Sequence, residues 1–304
     1  MLCAWQWALG TYSERVTVLE VIQSSTEYLA RKGVDSPRLQ SELLLANVLN
    51  LPRLQLYLNF QRTLTAQELD RARELVKRRG RREPLQHILG TTCFCGLEIE
   101  VNRAVLVPRP ETELLAELAW RWLNTTVELT RAAPAVLDWG TGSGCLAVAI
   151  AAHCPSALVQ AVDVSPAALA VARRNAERNR LAERIRFWQG DGFGALPAGA
   201  AFDLIVSNPP YVAHEAIATL QPEVRDYDPH LALNGGVDGL EHHRCLAVEA
   251  LAFLKPGARI MVELGDDQAE RVQDLFRRNQ WQVDALHPDL GGTPRILVAG
   301  AAQP

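Results

Sequence analysis

The chain has 304 residues, 48% of them hydrophobic and 22% charged, the balance of a soluble globular protein with room for one large domain or two ordinary ones. Its net charge of −4 is split unevenly, +4 over residues 1–110 and −8 over the remainder, which argues against a duplex nucleic-acid surface on the larger part. Six scattered cysteines lack zinc-ligand spacing, so they read as reduced packing residues and no metal is expected.

The opening MLCAWQWALGTY is apolar but short and has no basic flank, so neither a signal peptide nor a membrane anchor is expected and a cytoplasmic location is. Residues 1–14 fit no periodic pattern and are predicted to be an extension. From 15 to 90 the pattern is helical: VTVLEVIQSSTEYLARKG spaces its apolar residues three and four apart, SPRLQSELLLANVLN opens on Ser-Pro, and TAQELDRARELVKRRG pairs Thr65 with Glu68. A small helical bundle is predicted there. The densest basic run, Lys77 to Arg82, suits a solvated helix end at the negative pole of the helix dipole, or a surface for an acidic partner. Over 91–107 the period falls to two, with Gly96 and Asn102 as turn residues, which predicts a β-hairpin linker.

Residues 108–304 open on a predicted helix at 114–123. Predicted strands at 136–139, 158–164, 185–189, 204–207, 259–264, 282–287 and 295–299 then alternate with helices, the pattern of a mainly parallel, doubly wound α/β sheet covered on both faces. In AVLDWGTGSGCLAVAIA, Gly140, Gly142 and Gly144 fall at a strand-to-helix turn, where a ligand can approach the backbone closely. Cys145 stands where a dinucleotide fingerprint would need Gly. Asp163 ends the next strand, where a carboxylate can accept both hydroxyls of a ribose. Asp191 follows the third strand; it suits an adenine edge, with Phe193 packed on the ring, or a plain Asp-Gly turn. In FDLIVSNPPYVAHE an apolar strand gives way at once to Asn208, Pro209, Pro210 and Tyr211, a stiff loop rich in carbonyl acceptors.

Taken in order, PRPETE, DWGTGSG, VDVS and SNPPYV resemble the class-I S-adenosylmethionine-dependent methyltransferases, and among them the peptide chain release factor glutamine methyltransferases. The similarity runs from about Val16 to Val298 and takes in SPRLQSELLLANVL, PLQHILG, VELGDDQ and DLGGTPRIL. The resemblance implies a seven-stranded Rossmann-like sheet with its last strand antiparallel, behind a helical domain that docks the release factor and a hairpin linker. It implies that Gly140, Thr141, Gly142, Ser143 and Gly144 cradle the methionine end of S-adenosylmethionine, that Asp163 holds its ribose, and that Asn208, Pro209, Pro210 and Tyr211 hold the substrate glutamine. Asp191, Gly192 and Phe193 are expected around the adenine, with Asn208 also beside the cofactor. Two residues depart from the family pattern: Trp139 stands in place of an aliphatic residue, and Gly192 where some members place a cofactor-contacting Trp.

A carboxamide nitrogen is a poor nucleophile carrying two N–H donors. The Asn208 side-chain oxygen and the Pro209 carbonyl supply two acceptors, which would orient its lone pair toward a methyl donor. The expected reaction is methyl transfer to the glutamine of the Gly-Gly-Gln motif of class-I release factors by a monomer, without nucleic acid or membrane. A related group that methylates a ribosomal protein carries PRSP where this chain has PRPETE, which favours the release factor. An adenine-N-methyltransferase presents the same planar nitrogen but should carry a basic recognition domain. A cofactor-binding module without turnover is the non-enzymatic alternative.

Overall fold

The computed structural model describes residues 15–302, so the extension expected at 1–14 lies outside them. The chain divides into two compact units: one runs to Gly90 and takes in Gln221–Tyr227, the other comprises Thr91–Leu220 and the chain from Asp228 onward. Among the described residues no helix is long and apolar enough to cross a membrane.

The first unit is built from α1 (Val18–Arg31), α2 (Pro37–Leu49), α3 (Arg53–Leu58), α4 (Ala66–Gly80) and α5 (Leu85–Leu89). Helices α1 and α4 each open on a reciprocal capping box, Thr17 with Glu20 and Thr65 with Glu68, which satisfies backbone N–H groups that a helix start leaves without partners. Their apolar faces close over a core that includes Val18, Ile22, Leu29, Leu45, Leu56 and Leu75. The basic run has a more specific use than either reading of it. Arg79 is buried and donates to Gln40 and Glu223, Arg82 grips Glu223 through two nitrogens, and Arg78 pairs with Glu83. Much of the run is therefore spent inside its own unit, on the segment that returns at Gln221–Tyr227.

The second unit opens with an antiparallel hairpin, β1 (Thr91–Phe94) and β2 (Leu97–Glu100), joined by the two-residue turn Cys95-Gly96. Its strand pattern stops at Glu100, short of the predicted 107. Beyond it Asn102 accepts the Ala104 N–H in a turn, and Val101, Val105 and Val107 bury their side chains from a loop. Rather than linking two bodies freely, the hairpin packs into this unit: Phe94 and Ile99 join the core, and Asn175 bonds both backbone groups of Glu100. Helix α6 (Pro110–Thr130) begins before the predicted 114 because Pro110 occupies the first helical position, where no N–H is needed, and Glu111 and Glu113 suit the positive end of the dipole.

The remaining elements are β3 (Ala135–Trp139), α7 (Cys145–His153), β4 (Leu158–Asp163), α8 (Pro166–Arg178), β5 (Ile185–Gln189), β6 (Phe202–Ser207), α9 (Pro222–Arg225, in the returning segment of the first unit), α10 (Glu241–Glu249), β7 (Leu254–Glu263), α11 (Ala269–Arg278), β8 (Trp281–Pro288) and β9 (Pro294–Ala301). Seven strands form one sheet in the order β5-β4-β3-β6-β7-β9-β8. The pairs from β5 through to β7 are parallel, and β9 runs antiparallel to both its neighbours. Each predicted strand is present; β7 starts earlier, at Leu254, behind a register shift against β6. Both faces are covered, one by the hairpin with α6, α7 and α8, the other by α10 and α11, which is why β6 reads as an unbroken apolar run. Each fully buried side chain such as Leu137, Phe202 or Phe276 contributes about 1.5–3 kcal/mol. The chain leaves β3 toward β4 and β5 and returns on the other side as β6. That reversal opens a crevice at the carboxyl ends of the central strands.

Candidate active site

A cavity lies in that crevice, and residues from the ends of four strands face it: Trp139 at the end of β3 with Gly140 to Ser143 after it, Asp163 at the end of β4, Gly190 to Gly192 after β5, and Asn208 with Pro210 after β6. The loop before α6 and the stretch around Leu231 close its rim. The turn after β3 is held by backbone bonds. The N–H groups of Gly140 and Thr141 both donate to the Val162 carbonyl at 3.0 Å, and the Gly142 N–H donates to Asp163 Oδ2 at 2.8 Å. Gly140 and Gly142 adopt φ of +74° and +55°, and a Cβ on either would meet no heavy atom within 4 Å. The backbone there is open to close approach.

Asp163 carries one internal donor on each oxygen, Gly142 N–H on Oδ2 and Ser165 N–H on Oδ1, each at 2.8 Å. Burial raises its carboxyl above the ordinary range while those N–H groups pull it back. Its remaining lone pairs border the cavity, as a ribose site requires. Asp191 and Gly192 also line the cavity. Phe193, expected against the adenine ring, does not: it is buried in the core and stacks on Phe253 at 4.7 Å.

The aromatic wall comes from Trp139 instead. A Cβ on Gly192 would lie 3.1 Å from Trp139 Nε1, so the indole occupies space that only glycine at 192 leaves open. Trp139 and Gly192, the two positions expected to depart from the family pattern, are thus complementary in space. Trp139 Nε1 is buried and has no hydrogen-bond partner among the described residues, and His242 sits with its ring 5.9 Å from the indole, also on the cavity wall. Open glycine backbone, a ribose-type carboxylate and an unpartnered buried donor fit a nucleoside with a polar tail.

Across the cavity, Asn208 is held by side chains. Its Nδ2 donates to Thr112 Oγ1 at 2.9 Å, and the Thr112 hydroxyl donates to Glu263 Oε2 at 2.7 Å. Pro209 is buried. The Tyr211 hydroxyl reaches Glu263 Oε1 at 3.4 Å, behind the loop, so only Asn208 and Pro210 of the four loop residues border the cavity. Burial pushes the Glu263 carboxyl up to about 7 and raises the Tyr211 hydroxyl as well. Gln268 clamps the same loop, donating to the carbonyls of Tyr211 and Gly239.

Thr112, Glu263, Trp139 and His242 were not among the residues read as site residues, and neither was Asp138. Fully buried, Asp138 accepts from the Thr141 hydroxyl at 2.6 Å and the Ala147 N–H at 3.1 Å, tying the glycine turn to the start of α7, and burial raises it to about 7. The signal available was a carboxylate at the end of an apolar strand, in VLDWG and again in IMVELG, which must find partners once buried.

Residues 20–90 match the family model described as the PrmC N-terminal domain, and residues 119–236 match that of the methyltransferase small domain. The release factor glutamine methyltransferase of Geobacter sulfurreducens is 47% identical over 284 residues, covering 92% of this chain and 95% of that one. Its counterpart in Chlorobaculum tepidum is 44% identical over 263 residues, 86% of this chain and 89% of that one, and in Koribacter versatilis 39% over 283 residues, 93% and 98%. With identity this high across nearly the full length of both chains, the protein belongs to the release factor glutamine methyltransferase family.

Proposed function

We propose that the chain transfers a methyl group from S-adenosylmethionine to the side-chain amide nitrogen of the glutamine in the Gly-Gly-Gln motif of class-I release factors. The observation that carries this reading is the orientation of Asn208. With Nδ2 turned to Thr112, its Oδ1 is turned away from Thr112 and is the end available to an N–H of the target. The bound cofactor supplies an electrophilic sulfonium methyl.

The protein's own residues do the rest by positioning. Asn208 Oδ1, on the cavity wall, accepts one N–H of the target carboxamide; the Pro209 carbonyl, expected to accept the other, belongs to a residue that does not line the cavity, so Asn208 carries the orientation of the nitrogen. No base is needed beforehand, because the nitrogen sheds its proton to water after it is methylated. The prolines hold the loop stiff and contribute no N–H to compete for those acceptors. On the opposite wall, Asp163 would hold the ribose, Gly140, Thr141, Gly142 and Ser143 the methionine end, and Trp139 with Asp191 and Gly192 the adenine, while Gly144 does not line the cavity and packs against Ala172 of α8.

The helical unit serves in this reading as the docking surface for the intact release factor. Leu54 and Leu58, one turn apart on α3, are 73% and 86% exposed, which suits a protein partner. Leu58→Glu is then expected to raise KM for intact release factor and leave kcat unchanged.

The direct test is radiolabelled methyl transfer to purified release factor, to its Gln→Glu variant, to the ribosomal protein and to adenine-containing duplex DNA. Transfer to the wild-type release factor alone is expected, since glutamate offers no N–H donors and adds a charge. Transfer to the Gln→Glu variant, or to DNA in preference, would overturn the reading.

A further inference from the structure

We propose that Glu263 and Thr112 form a positioning relay that fixes which end of the Asn208 carboxamide faces the reacting nitrogen. The inference rests on the reading that Asn208 Oδ1 accepts an N–H of the target glutamine. A carboxamide has two ends of similar size and opposite hydrogen-bonding sense, and rotation about its last torsion exchanges them at little intrinsic cost. An Asn in a cavity therefore does not by itself present an acceptor. Its surroundings must choose.

The choice is made two residues away. Once Glu263 is ionised, above about pH 7, its carboxylate can only accept, so the single proton of the Thr112 hydroxyl, 2.7 Å from Glu263 Oε2, is committed to Glu263. Thr112 Oγ1 is then left with lone pairs toward Asn208 and can only accept, which it does from Nδ2 at 2.9 Å. Turning the amide over would set Oδ1 against the Thr112 oxygen with no proton between them. It would also aim two N–H donors at the two N–H donors of the target. Both mismatches fall inside a buried pocket, where an unpaired polar group is costly.

The start of the relay is held firmly. Glu263 is 1% exposed and its backbone carbonyl is 3.0 Å from His243 Nε2. The sheet register sets Ser207 of β6 opposite Val262 of β7, so Asn208 and Glu263 leave adjacent strand ends together. Thr112 is supplied from the first turn of α6, which is where the early start of that helix at Pro110 places it. Glu263 and Thr112 act through Asn208 and are positioning residues, not catalytic ones.

The test is a double-mutant cycle on the full chain at pH 8, where Glu263 is ionised, read as single-turnover methylation of release factor at saturating cofactor, with calorimetric cofactor affinity and a thermal melt for each variant. Thr112→Val keeps the shape and removes the hydroxyl; it is expected to slow transfer roughly ten- to hundredfold without changing cofactor affinity. Thr112→Ser is expected to restore most of the rate. Added to Asn208→Ala, Thr112→Val is expected to have no further effect, because its only route to the reaction is gone. Asn208→Asp gives a second reading should Thr112→Val fold poorly. It keeps an oxygen facing the target but replaces the Nδ2 donor, leaving two carboxylates and one hydroxyl proton, and is expected to lose as much rate as Asn208→Ala. Wild-type rates for Thr112→Val or Asn208→Asp, or effects that multiply in the double variant, would overturn the relay alone. A wild-type chain that methylates no glutamine would overturn both the relay and the functional reading.

Discussion

The two walls of the cavity are built by different means. The turn after β3 is largely a backbone structure: Gly140, Thr141 and Gly142 donate main-chain N–H groups to the adjacent strand end, and the side chains that hold it are close in sequence, Asp163 21 residues from its partner Gly142 and Asp138 three residues from Thr141. The loop after β6 is a side-chain structure. Asn208 depends on Thr112, 96 residues earlier, and Thr112 on Glu263, 151 residues later. A wall made of backbone tolerates changes of side chain as long as the glycines remain. A wall made of a side-chain chain does not, because each member determines the hydrogen-bonding sense of the next.

That contrast predicts separable defects. The largest is expected at Asp163, the residue shared by the ligand site and the turn itself. Asp163→Ala removes charge-assisted acceptors worth about 1.5–3 kcal/mol to a ribose and also frees the Gly142 N–H. Calorimetry with the cofactor or its demethylated product should show affinity falling roughly ten- to hundredfold. Unchanged affinity would take Asp163 out of the site.

Glu263 tests the other wall through pH. Burial raises its carboxyl from 4.5 to about 7, so between those two pH values the folded state holds a proton that the unfolded chain has released. The resulting stabilisation is complete below pH 4.5 and is lost as pH rises through about 7. Glu263→Gln has no charge to bury, so its stability relative to wild type should rise by about 2 kcal/mol between pH 5 and pH 8, measured by urea unfolding. A pH-independent difference would mean that Glu263 is not held in a desolvated site.

The smallest effect belongs to Gly144, where the backbone wall meets α8. A Cβ there would lie 2.9 Å from the Ala172 Cβ, at φ +78°. Gly144→Ala is expected to cost about 1–2 kcal/mol of stability. Because the strain falls between helix and turn, Asn208-dependent transfer per bound cofactor should survive it. Loss of rate at full cofactor occupancy would erase the distinction between the walls.

The same contrast decides how much could be read without coordinates. Strands β3 to β6, the glycine turn and Asp163 were legible because their signals are local: an apolar run, a turn residue, a carboxylate at a strand end. Asn208 was legible as an acceptor because two prolines leave its loop few donors. Thr112 and Glu263 were not, although both lie in stretches that stood out, PRPETE and VELGDDQ, since only the sheet order brings β7 beside β6 and the first turn of α6 against them. Phe193 shows the converse error. An aromatic residue after β5 suits a ligand ring from its place in the sequence, but its side chain turns into the core against Phe253, and the aromatic wall is supplied from β3 by Trp139. The basic run from Lys77 stands at the end of α4, as its composition suits, but its pairing with Glu223 was not legible, because Glu223 sits on a segment that returns to the helical unit 141 residues after Arg82.

The central claim is that the loop after β6 holds the reacting nitrogen while the turn after β3 holds the cofactor. It is tested most directly by single-turnover methylation of release factor by Asn208→Ala at saturating cofactor, alongside calorimetric cofactor affinity. Loss of one acceptor in a desolvated pocket costs about 1–3 kcal/mol, so the rate should fall roughly five- to more than hundredfold with cofactor affinity unchanged. A wild-type rate, or a loss explained entirely by weaker cofactor binding, would contradict it.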